Sequence, residues 1–269
     1  MRWPLSDLLA VVKGGGDLAT GICHRLHRVG FQLVVTEIAQ PTVIRRTVAL
    51  ASAVYAGHAE VEGMRAQLAR SSEEAESLAG QGVIAVLVDP VAEVVKDLRP
   101  TVVVDAILAK QNLGTKLNDA PAVIGVGPGF TAGVDVHAVV ETNRGHNLGR
   151  VILEGSAEPD TGVPGQIGGY GAERVLRAPC KGTFRGVRQI GDVVQKSEVV
   201  AEVDSHPVRA TIPGVLRGLL YDGLPVVRGM KVGDIDPRAK PEHCFTISDK
   251  ARAVGGGVLE AALYLLRQR

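Results

Sequence analysis

A run of apolar residues, Leu8 to Val12, breaks off into three successive glycines, Gly14, Gly15 and Gly16, and then resumes as a helical repeat. Few local patterns constrain a fold more tightly. A continuous apolar run bounded by glycine predicts a strand buried on both faces. Leu18, Ile22, Leu26 and Val29 then recur at helical spacing, with His24, Arg25, His27 and Arg28 on the remaining surface. Gly30 is placed to end that helix, and Phe31 to Ile38 predicts a second strand. Strand, glycine loop, helix and strand together form the kind of unit that cradles a phosphate-bearing ligand.

The same alternation continues. Pro41 stops the second strand, and Ile44, Val48 and Ala51 predict another helix. Strands over 83–88, 102–108 and 122–126 alternate with helical stretches at 72–79 and 91–98. This predicts the α/β class, with a Rossmann-like parallel sheet covered on both faces over residues 1–130. Residues 131–177 read as a β-hairpin and connecting region, with strands at 134–142 and 148–154 and then a loop rich in Gly and Pro at 159–171. Residues 178–269 read as a β-rich domain of short strands with a closing helix, on which Leu259, Ala262, Leu263 and Leu266 share a face.

The segment Lys13 to Gly21 fits GxGxxxxG, a relaxed form of the dinucleotide fingerprint. Gly14 permits the tight turn, and Gly16 lets the backbone approach a pyrophosphate. Gly15 lies between them, and Asp17, Leu18 and Ala19 open the helix whose amides and dipole favour an anion. Ala19 stands where the third glycine usually falls. Glu37, at the end of the second strand, is placed to accept hydrogen bonds from ribose hydroxyls, which favours NAD over NADP. Asp17 brings negative charge toward the phosphates, so it either caps the helix or holds a substrate. Arg45 and Arg46 either neutralise a phosphate or decorate a solvated helix face. NAD or another dinucleotide is the expected ligand. No GxxxxGK[ST] motif occurs, so a Walker A site is excluded.

Further along, Asp135, His137 and Glu141 fall on one face of the strand predicted at 134–142. That strand follows the turn-rich loop Gly125 to Phe130, so Gly127 joins the expected ligand-binding set. Asp105, Lys110 and Asn112 follow the preceding strand, and open α/β sheets bind ligands at such carboxyl ends. His137 with Glu141 could form an acid/base pair, with Lys110 and Asp105 as the other catalytic candidates. Asp135, His137, Glu141 and His146 could instead approach a divalent ion. Their spacing matches no metal motif, so no metal is assigned. The competing reading for each residue is a solvent-facing strand, and for Lys110 a surface cation.

Bulk properties narrow the class. Across 269 residues the formal net charge is +1, which favours neither nucleic acid nor an anionic membrane. Aromatic residues make up 3%, too few for the stacking platforms of single-strand binders. Cys23, Cys180 and Cys244 lie far apart without a CxxC pair, which suits reduced thiols in the cytoplasm. The start, MRWPLSDLLAVVKGGGD, holds too short an apolar run for a signal peptide, and no apolar stretch reaches membrane-spanning length.

Two C-terminal stretches look alike. Gly182 to Val187 with Ile190 to Val194 parallels Gly214 to Leu219 with Val232 to Ile235. Each resembles a half-motif of the biotinyl and lipoyl barrel-sandwich domains. The place of their modified lysine is held by Asp204-Ser205-His206-Pro207, so neither biotin nor lipoate is expected.

Longer phrases carry a further resemblance: GGGDLATGICHRLHRVGF, TEIAQPTVIRRTVALASAVY, GVGPGFTAGVDVHAVVETNRGHNLGRVI, KVGDIDPR and SDKARAVGGGVLEA. Together they resemble the YqeB-like family of bacterial accessory proteins of the selenium-dependent molybdenum hydroxylase system. A more distant resemblance is to the Rossmann domain of xanthine dehydrogenase accessory factors. The resemblance implies a maturation factor with molybdenum hydroxylase subunits as partners and adds a molybdopterin nucleotide to the candidate ligands. It carries over no reaction and no catalytic residue. Three readings stand: a nucleotide-binding maturation factor, an NAD-dependent oxidoreductase with His137 or Lys110 as proton donor, and a non-catalytic scaffold. Each is compatible with a homo-oligomer.

Overall fold

The computed structural model describes residues 5–163 and 165–268. Residues 1–4, where the reading against a signal peptide begins, and Pro164 of the Gly/Pro-rich loop lie outside them. The chain divides into two compact units. The first comprises residues 1–41, 49–160 and 247–269, and the second residues 42–48 and 161–246.

The first unit is built on β1 (Leu9–Lys13), α1 (Asp17–Arg28), β2 (Gln32–Glu37), α2 (Ala53–Ala56), β3 (His58–Val61), β4 (Met64–Ala69), α3 (Ser72–Gly80), β5 (Ile84–Val88), α4 (Val94–Leu98), β6 (Val102–Asp105), β7 (Ala122–Val126), β8 (Ala138–Val140) and β9 (Val151–Ile152). These strands form one nine-stranded sheet in the order β3-β4-β5-β2-β1-β6-β7-β8-β9. Neighbours from β4 to β8 run parallel. Both edges are antiparallel, β3 on β4 and β9 on β8. Val11 is the register partner of both Val34 and Val103, and Val103 of Val123, so these side chains line one face. With Ala75 and Ala79 of α3 and Val94 and Val95 of α4 they form a single buried cluster. Full burial of each such side chain stabilises by roughly 1.5–3 kcal/mol, which is why these strands read as unbroken apolar runs.

The closing helix α5 (Asp249–Arg267) belongs to this unit and packs on α1, β7 and β8. Ser248 caps it, its hydroxyl accepting from the Ala251 amide at 3.1 Å. Glycine lets α1 and α5 approach backbone to backbone: a Cβ on Gly21 would stand 2.5 Å from the Ala251 carbonyl oxygen, and one on Gly255 would strike the Gly21 carbonyl. Gly255 and Gly257 are thus packing positions, the second against the Gly149 carbonyl, while Gly256 between them has nothing within 4 Å of an added Cβ.

The second unit contains β10 (Val175–Arg177), β11 (Gly182–Gly186), β12 (Val193–Val194), β13 (Val199–Val203), β14 (His206–Arg209), β15 (Gly214–Leu219), β16 (Pro225–Val226) and β17 (Lys231–Asp236). They make two four-stranded sheets, β10-β17-β15-β12 and β14-β13-β11-β16, whose pairings are all antiparallel.

The fold class therefore needs correction. The expected Rossmann-like parallel sheet is a mixed sheet with an antiparallel strand at each edge. The expected barrel-sandwich with its own closing helix is instead two separate antiparallel sheets, and the helix packs in the first unit. The two alike stretches, β11 and β15, lie in different sheets. The boundaries near 130 and 178 differ from those of the units, because the chain enters the second unit briefly at 42–48 and leaves it at 246. That excursion also breaks the helix expected over 44–51, where 3₁₀ turns at Arg46–Val48 and Leu50–Ser52 stand. The β3–β4 hairpin is an addition, turning at Glu62 and Gly63, both with positive φ.

Candidate functional site

The carboxyl edge of the parallel strands is where β1 runs into α1. Gly14 turns there with φ +88°, a conformation that favours glycine. Its amide donates to the Thr36 carbonyl at 2.8 Å. The Gly15 amide donates to Oε1 of Glu37 at 2.8 Å, and the Gly15 carbonyl accepts from the Ala51 amide at 2.9 Å. A Cβ on Gly15 would meet the Ala51 nitrogen at 2.8 Å. The other Glu37 oxygen accepts from the Ile38 amide at 2.9 Å. Glu37 is therefore a brace for the loop. Burial pushes its carboxyl above the ordinary range, opposed by the Gly15 and Ile38 amides.

Gly16 is the N-cap of α1 and supplies no side-chain cap to the first-turn amides, while Leu18 and Ala19 are buried against the unit. Lys250, in the first turn of α5, is half-buried, and its ammonium makes no hydrogen bond or ion pair among the described residues. Burial lowers its pKa, and the Arg144 charge lowers it further; Asp17, Glu141 and Asp249 oppose these effects. Arg144 is itself forked onto Asp249, at 2.9 and 3.3 Å. The ammonium thus shares one neighbourhood with the carboxylates of Asp17, Glu141 and Asp249 and with the Arg144 charge.

Of the catalytic candidates Glu141 acts on Lys250 as a charge, but the four do not form the expected catalytic set. β8 is three residues long, with His137 before it and Glu141 after it. Four steps at the ~3.3 Å rise of a strand set their Cα atoms ~13 Å apart, and the Glu141 carboxylate is taken up by other donors, so the expected acid/base pair is not formed. His137 Nδ1 accepts from the Val123 amide at 3.0 Å. Glu141 is buried and takes three amides, from Thr142 and Asn143 on Oε1 and from Glu158 on Oε2, each at 2.7 Å. Asp105 is buried and accepts from the Thr115 hydroxyl at 2.6 Å. Lys13 completes that network, donating to Thr115 Oγ1 at 3.0 Å and Asp119 Oδ2 at 3.2 Å. Lys110 is exposed and paired with Asp160 at 2.6 Å.

Of the remaining candidates, Gly127 turns with φ +80° and packs against Thr142, whose Oγ1 would lie 2.8 Å from an added Cβ. Asp135 accepts from the Thr131 amide, and His146 is exposed. Among the described residues no group of three or more His, Cys, Asp or Glu side chains could hold a metal ion. Arg45 belongs to the second unit, where it donates to the His243 and Thr246 carbonyls at 3.0 and 3.1 Å. No helix among the described residues is long and apolar enough to cross a membrane. Lys250 escaped the sequence reading. Its signal was the Ser-Asp-Lys opening of the closing helix, a cap followed by a cation in the first turn, where cations are disfavoured.

No protein-family model matches the chain. It is 52% identical over 265 residues to the protein of Escherichia coli (strain K12) named "Uncharacterized protein YqeB", covering 98% of this chain and 49% of that one. The chain thus spans about half the length of the curated relative it matches. Among solved structures it is similar to an aspartoacylase family protein from Mesorhizobium loti, at 10% identity and TM-score 0.28, covering 87% of this chain and 86% of that one. It is also similar to a succinylglutamate desuccinylase/aspartoacylase from Rhodobacter sphaeroides, at 14% identity and TM-score 0.27, covering 86% and 85%. At such scores the likenesses define neither the fold nor the activity of this chain. The curated relative's name carries none of the expected selenium or molybdenum hydroxylase labels, and the sheet topology replaces the Rossmann and barrel ones, so these labels are withdrawn.

Proposed function

We propose that the first unit binds a small phosphate-bearing molecule of nucleotide type at the carboxyl edge of its sheet. Lys250 is its counter-cation, and the first turn of α1 seats the anion. The observation that carries this reading is the state of Lys250: half-buried, depressed in pKa by burial, and with no hydrogen bond or ion pair on its ammonium among the described residues. A desolvated ammonium is stabilised by an anion brought beside it. A helix start without a side-chain cap adds donors and the favourable dipole end. Glu37 has no ribose role in this reading, because both its oxygens serve the loop.

The test is a thermal-shift panel of inorganic phosphate, AMP, CTP and NAD on the full chain and on Lys250→Met. A ligand at about a hundred times its Kd should stabilise by about 2.7 kcal/mol. The variant should lose that response to at least one nucleotide while keeping its fold by circular dichroism. A second reading, a loop with a purely architectural role, is favoured by the Gly15–Glu37 brace. It predicts identical nucleotide responses in both proteins.

A further inference from the structure

In the first unit, the end of α4 and the segment that enters β7 line a cleft of about 780 Å³, a volume that suits a small ligand. The buried part of its lining is apolar and comprises Val95, Pro100 and Ala120. The exposed part is charged: Lys96, Arg99 and Lys116 stand there, with a half-buried Asp119. Apolar surface with a few charged groups is the usual make-up of a small-molecule site.

The charges are not equally committed. Lys96 pairs with Glu93 at 2.6 Å. Asp119 Oδ2 accepts from Lys13 Nζ at 3.2 Å and from the Lys116 amide at 3.1 Å. Lys13 is buried and also donates to Thr115, so this segment is tied to β1. The Arg99 guanidinium and the Lys116 ammonium have no ion-pair partner among the described residues. The uncommitted charges on the cleft are therefore both positive, and both are open to solvent and to a ligand.

We propose that this cleft binds a small organic anion with an apolar body. Arg99 and Lys116 take its charged head, and Val95, Pro100 and Ala120 cover its hydrocarbon. Carboxylate and phosphate oxygens both match a guanidinium fork, while the apolar lining favours a molecule with hydrocarbon over a bare inorganic ion. This inference is independent of the site at Lys250.

Isothermal titration of the full chain with hexanoate and with hexyl phosphate tests it, at constant ionic strength set with chloride. The two probes share their hydrocarbon and separate a carboxylate head from a phosphate ester. At least one should bind with a Kd below about 1 mM, and Lys250→Met should bind it as well as the native chain. Acetate lacks the hydrocarbon and hexanol lacks the charge, so each should bind at least about tenfold more weakly. Arg99 ends α4 at φ +46°, a conformation that glycine adopts without strain. Arg99→Gly should therefore hold or raise the thermal midpoint of unfolding while weakening binding about tenfold. Lys116→Met, at an exposed position, should weaken it similarly. The proposal is overturned if neither probe binds the native chain at that level, if hexanol binds as tightly as the anions, or if either Arg99→Gly or Lys116→Met keeps native affinity.

Discussion

The Glu37 carboxylate reaches back from the end of β2 to accept the Gly15 amide at 2.8 Å, closing the glycine loop onto its own sheet. Glu37→Ala leaves the Gly15 and Ile38 amides without that acceptor, at an expected cost of about 1–3 kcal/mol. The midpoint of urea unfolding at neutral pH measures it, and an unchanged midpoint would show that the brace is dispensable.

The same carboxyl has a pH signature. Its folded pKa is raised by burial, so the folded state holds its proton more tightly than the unfolded chain. Its contribution to stability is full below the unfolded value and is lost as pH rises through the folded one. Glu37→Gln should therefore flatten the fall in stability on the alkaline side of the ordinary glutamate range, read from unfolding midpoints across that range.

His24 behaves in the opposite sense on acidification. It is buried on α1, 3.7 Å from Glu62, and burial lowers its pKa from 6.5. The folded state keeps it neutral, so its contribution is present above that unfolded value and is lost as pH falls through the folded one. Replacing it with Gln should remove a destabilisation that sets in below about pH 6.5, visible in thermal midpoints.

Gly21→Ala or Gly255→Ala should force α1 and α5 apart, since each added methyl meets backbone. The expected loss is about 1–3 kcal/mol or more. Gly256→Ala, with nothing within 4 Å of its added Cβ, is the control that should leave stability level or slightly higher.

How much of this was legible in the sequence varied by element. The unbroken apolar runs became β1, β2, β5, β6 and β7 close to where they were read, because burial on both faces leaves no other composition. The antiparallel β8–β9 edge was legible as a hairpin, though one of longer strands. What was not legible is that its first strand joins the parallel sheet beside β7, or that β3 and β4 form a hairpin at the other edge. Nor was the excursion of residues 42–48, since a seven-residue visit to another unit leaves no compositional mark. The candidate site was half legible. The glycine turn was located, but the same carboxylate spacing that suits a ribose also suits a reach back to Gly15, and only the conformation decides between them. His137 and Glu141 misled for a different reason. They lie at opposite ends of a strand that is much shorter than the pattern suggested, each held by main-chain amides. Lys250 drew no attention because its significance rests on burial and on neighbours more than a hundred positions away, Asp17 and Glu141.

The proposed role of Lys250 is open to direct observation. Its ammonium group can be titrated by heteronuclear NMR in the free protein and again with saturating nucleotide, assigned by its loss in Lys250→Met. The expected result is a value below the ordinary lysine range in the free protein that rises when the nucleotide binds. An ordinary value, or one that the nucleotide leaves where it was, contradicts an anion seat at that edge.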